Sequence, residues 1–193
     1  MRRYLIRIEN TQRYKPAETI QLLIKLRKCV DEYRSVVKNL RVTEIAIEFD
    51  LYIVDEYMRL KSLASLGMEF GLVLTEKDLE NEQTVGDAGN VIELGIKLFN
   101  EERFWECHET VEQLWRKTSK GPEKDVQQGF ILAASALVHF QKDEPSICLG
   151  MIPRTLSKLN QWNEQFYHKL DVNSLKDSLN NILASGNIVP FKL

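Results

Sequence analysis

Residues 3–9 alternate, with Tyr4, Ile6 and Ile8 on one side and Arg3, Arg7 and Glu9 on the other, the two-residue period of a strand. Pro16 then opens a run in which Leu22, Leu26, Cys29, Val30, Tyr33, Val36, Val37 and Leu40 recur at spacings of three and four. That spacing predicts one long helix reaching to about residue 40 and packing on the sheet. A second alternation follows, with Ile45, Ile47, Phe49 and Leu51 on a buried side and Glu44, Ala46, Glu48 and Asp50 on a wet one. Residues 53–66 read as a second helix stopped by Gly67, and residues 70–74 as a third strand. The expected order is β-α-β-α-β, which fits half of a ferredoxin-like sheet and a small parallel sheet equally well.

Beyond residue 80 the strand period disappears. Residues 80–90 are polar, hold two glycines and show no apolar period, so the boundary between two domains is placed there, with a module over 1–80 and a linker over 81–90. Helices are expected over 90–100, 102–118, 123–142, 145–167 and 174–184, forming an antiparallel bundle over 91–185. Pro153 should kink or split the fourth of these. Residues 186–193 are expected to dock as an extended arm or to fray. The fold class is therefore α+β, a small α/β module followed by an all-α bundle.

The chemistry gathers on the helix FWECHETVEQLWRKT. At 100° per residue, Phe104, Trp105, Val111, Glu112 and Trp115 fall within about 60° of His108, Glu109 lies at the rim, and Glu106, Thr110 and Gln113 face away. A carboxylate among tryptophans loses hydration, so Glu112 needs a partner, and His108 one turn earlier is the nearest. On the next helix Gln128, Ser135 and His139 share one line in an otherwise apolar surface. Facing lines would gather His108, Glu112, Gln128 and His139, with Glu109, Ser135 and Arg116 at the edge.

Such a cluster has two readings. His108, Glu112 and His139 suit a divalent transition metal in the manner of a two-histidine, one-carboxylate site, and Glu109 would then be the general base of a hydrolase-like enzyme. Alternatively the side chains hydrogen-bond one another and set helix register in a ligand-sensing or protein-interaction domain. Trp105 and Trp115 are either core or the walls of a ligand site. His168, beside Lys169, reads as a solvated residue near a helix end.

Composition narrows the setting. With 26 basic and 28 acidic residues in 193, the net charge of −2 supplies no field for nucleic acid. The N-terminus lacks the apolar core of a signal peptide, and the longest uncharged apolar run, residues 129–140, is too short to span a bilayer. A cytoplasmic protein without membrane association is expected, with a homodimer, a small molecule or another protein as partner. Cys29, Cys107 and Cys148 form no CxxC pair and are expected to be reduced and inert.

The run LFNEERFWECHETVEQLWRKT, with QQGFILAASALVHF after it, resembles the domain of unknown function 309 family over residues 90–162. The resemblance rests on Phe104, Trp105, Glu106, His108, Glu109, Glu112, Trp115, Gln128, Gly129, Ala133, Ala136 and His139. It implies a small antiparallel helical bundle and no activity, and leaves the module before it unassigned.

Overall fold

The protein is described from a computed structural model covering residues 1–80 and 86–193. Residues 81–85 of the expected linker lie outside the described residues. The chain divides into two compact units, residues 1–83 with 141–143, and 84–140 with 144–193.

The first unit runs β1 (Arg2–Glu9), α1 (Thr19–Val30), β2 (Val36–Val42), β3 (Ala46–Ile53), α2 (Glu56–Phe70) and β4 (Val73–Asp78). Its sheet has the order β2-β3-β1-β4, with every neighbouring pair antiparallel. This β-α-β-β-α-β order with split crossovers is the ferredoxin-like arrangement, and it excludes the parallel alternative.

The expected long helix is thus two elements. Val30 ends α1, a turn of 3₁₀ helix follows, and Arg34 takes a left-handed conformation (φ 53°) that turns the chain into β2. Val36, Val37 and Leu40 belong to that strand. Their spacing happens to continue the helical period, whereas the paired β-branched Val36 and Val37 are the local signal for a strand.

The second helix begins at Glu56, capped by Asp55, whose side chain accepts from the Met58 amide, and it passes through Gly67 to end at Phe70. Gly71 is the stop. Its φ of +137° suits glycine, and a Cβ there would lie 2.6 Å from the Glu9 carbonyl oxygen. Thr11 and Gln12 donate side-chain hydrogen bonds to the free carbonyls of Phe70 and Glu69. Gly67, by contrast, is helical and would meet nothing with a Cβ. Gly67→Ala is therefore expected to raise stability by about 0.5–1 kcal/mol, seen as a higher unfolding midpoint.

One face of the sheet carries Tyr4, Ile6, Ile8, Ile47, Phe49, Leu51 and Ile53, packed with Leu22 and Leu26 of α1 and Leu66 and Phe70 of α2. The alternate positions of β3 are not wet: Glu48 is 4% and Asp50 0% exposed. Arg41, paired across the strands with Glu48, donates to Glu48 at 2.6 Å and to Asp50 at 3.2 Å. Arg3 and Asn39 also donate to Asp50, at 2.7 and 2.6 Å. The alternation identifies a polar face but cannot say that the face is buried.

The second unit consists of α3 (Ala88–Asn100), α4 (Phe104–Lys117), α5 (Pro122–Gln141), α6 (Pro145–Leu159), a short hairpin of β5 (Phe166–Tyr167) and β6 (Leu170–Asp171), and α7 (Val172–Ser185). Pro153 sits inside α6 without splitting it. The helix stops at Leu159, short of residue 167, and the hairpin takes the remaining residues. His168 forms the hairpin turn in a left-handed conformation (φ 51°), so it is not at a helix end. The aromatic core joins Phe99, Phe104 and Phe130, and Phe191 of the C-terminal arm packs against Phe99 in a tilted arrangement with 5.3 Å between centroids. Leu193 and Asn100 exchange two hydrogen bonds, so the arm is docked.

Candidate functional site

The buried stripe of α4 is Phe104, Cys107, Val111 and Leu114, each three or four residues from the next. Trp105, His108, Glu112 and Trp115 lie alongside it, half-buried. Glu106 points away from His108, as helical phase requires, yet it is not on a solvent side. It is 3% exposed and accepts two hydrogen bonds from Arg103, at 2.7 and 3.0 Å. Cys107 is enclosed in the apolar core, which pushes its thiol far above the ordinary range, and burial pushes Cys148 up to about 11. Neither is a thiolate nucleophile near neutral pH.

His108 and Ser135 share a 2.6 Å hydrogen bond through Nδ1, joining the polar lines of α4 and α5. The bond orients the ring and leaves Nε2 at 3.8 Å from one oxygen of Glu109 and 3.8 Å from one of Glu112. These gaps are too long for hydrogen bonds. The three donor atoms lie within 4.8 Å of one another, and the side chains are 27%, 44% and 25% exposed for His108, Glu109 and Glu112. Small rotations of the carboxylates would bring all three to bonding distance of one cation, with solvent-facing positions left over. Ser135 would hold the ring from the far nitrogen, as outer partners of metal-bound histidines do.

Arg116 bears on this set. Its Nη2 donates to Glu112 at 3.0 Å, placing a fixed positive charge beside the group. The Arg116 side chain is 68% exposed, so the guanidinium can leave without desolvation cost.

His139 is not in the group of donors gathered at His108. His139 stands at the end of α5 and bonds Glu144 at 2.5 Å, while the Glu144 amide donates to the His139 carbonyl. The carboxylate of the following turn thus closes the helix end. Gln128 lies elsewhere again, lining a hollow with Trp115. Its neighbour Gln127, 1% exposed and unremarked by the pattern, bonds the Tyr167 hydroxyl at 2.6 Å and ties α5 to the hairpin. Of the expected cluster, His108, Glu109, Glu112, Ser135 and Arg116 are linked by these contacts, while His139 bonds Glu144 and Gln128 lines the hollow.

Residues 92–151, from α3 into α6, match the family model described as Domain of unknown function (DUF309). Comparison with curated proteins and with solved structures finds no match. Among the described residues no helix is long and apolar enough to cross a membrane.

Proposed function

We propose that the helical unit is a ligand-sensing module whose site is His108, Glu109 and Glu112, and that the ligand is a divalent cation, bound alone or with a small molecule. The observation that carries this reading is the His108–Ser135 hydrogen bond, which holds Nε2 between two half-exposed carboxylates without a hydrogen bond to either. Three oriented donors with unmet capacity suit a cation better than they suit one another. Exposed apolar side chains on α1 and α2, among them Ile20, Ile24, Tyr57, Leu60 and Met68, support an interaction role for the first unit, with a second copy of the chain as one partner.

A metal-dependent hydrolase is the second reading, favoured by the exposure of Glu109, which leaves its carboxylate able to accept a proton from water. It needs a third protein ligand beside His108 and Glu112, because His139 is not in the group gathered at His108. It also needs Glu109 to act as base and not as ligand.

The test is calorimetric titration of tag-free protein with zinc and manganese. About one cation per chain is expected, with Glu112→Gln weakening binding about tenfold or more. Arg116→Gln should tighten it several-fold by removing the competing charge. A folded native chain that takes up no cation, or an Arg116→Gln variant that binds less tightly than native, would leave His108 and Ser135 as a structural pair only.

A further inference from the structure

A second set of unmet groups lies where the end of α4, the start of α5 and the end of α6 meet. Trp115, Lys120, Gly121, Lys124, Asp125, Gln128 and Lys158 line a hollow of about 310 Å³ there, near the lower limit for a small-ligand site. Three ammonium groups face one carboxylate, an excess of positive charge in a chain whose net charge is −2. Lys158 is paired with Asp125 at 2.6 Å. Among the described residues Lys124 has neutral partners alone, the Thr118 carbonyl at 2.8 Å and the face of the Trp115 ring at 4.6 Å. Among the described residues Lys120 and the Gln128 amide have no polar partner. The Trp115 indole N–H, shielded from solvent, has none either, which costs on the order of 1–3 kcal/mol.

We infer that this hollow binds the phosphate group of a small molecule. Its walls hold surplus donors, and the one carboxylate is already neutralised, so an occupant must bring acceptors and negative charge. Two uncompensated ammonium groups match the charge of a phosphate dianion, and donors from three helices and a loop suit a tetrahedral acceptor better than a planar one. Lys124 lies over the Trp115 ring at 4.6 Å, so an anion that draws the ammonium toward it changes the surroundings of the indole. The site is separate from His108 and does not depend on the cation reading.

The indole proton makes the inference testable by NMR, because the chain has only three tryptophans. Full-length protein is titrated with inorganic phosphate, pyrophosphate and acetate at matched ionic strength, and Trp115→Phe assigns the signal. The expected result is a saturable shift of the Trp115 indole proton with phosphate or pyrophosphate. Affinity should fall about tenfold in Lys120→Gln and in Lys124→Gln. Lys120 is exposed, so its variant retains the fold and keeps the comparison valid should Lys124→Gln be unstable. The inference is overturned if no shift saturates, if acetate acts equally, if all three indoles move together, or if Lys120→Gln binds as tightly as the native chain.

Discussion

Asp50→Ala is expected to destabilise the N-terminal unit by about 3–5 kcal/mol, the cost of breaking a buried charge network from one side. Asp50 is fully buried and accepts from Arg3, Asn39 and Arg41. Removing it takes from Arg41, itself 1% exposed, one of its carboxylate partners. Asp50→Asn keeps the shape and one acceptor oxygen, so it should lose less. Urea unfolding followed by circular dichroism and by tyrosine emission reads the effect, since five of the six tyrosines precede residue 81 while all three tryptophans follow it. A loss below about 1 kcal/mol would place these ion pairs with ordinary surface pairs.

The helical unit should be comparably intolerant at Gly129. A Cβ there would lie 2.5 Å from Leu159 Cδ2, 2.7 Å from its Cγ and 3.2 Å from its backbone nitrogen. The side chain can turn aside, whereas the nitrogen moves only with the end of α6. Gly129→Val is therefore expected to cost about 3 kcal/mol, the upper part of the range for overpacking. Because the two residues share one space, Leu159→Ala should cost at least about 1 kcal/mol less in the Gly129→Val background than in the native chain. Tryptophan fluorescence during denaturation gives both values. Strictly additive losses would mean that α5 and α6 separate freely at this point.

Much of this architecture is legible in one sequence. Alternation in β1 and β3, the apolar stripe of α4 and the apolar girth of α5 follow directly from residue period, because a strand or helix must bury the face that its spacing aligns. Phase also aligned His108 on one helix with Ser135 on the next, and these two are bonded. Where two periods agreed over a short span, as at Val36, Val37 and Leu40, the pattern had no means of choosing. The choice fell to strand pairing with β3. Likewise Gly67 and Gly71 look alike in sequence, and it is the φ of +137° together with the approach of the Glu9 carbonyl that makes the second indispensable.

The polar residues divide in the same way. Sequence by itself determined that His108, Glu109 and Glu112 share one turn and that a hydrated surface helix would not carry them beside two tryptophans. Tertiary structure alone decided that His139 bonds Glu144, that Gln128 joins three lysines from separate segments, and that Glu48 and Asp50 are buried with Arg41. The reason is physical. Period along a chain reports which side chains share a face, whereas hydrogen bonds and ion pairs act over a few ångströms and depend on what another segment places opposite that face.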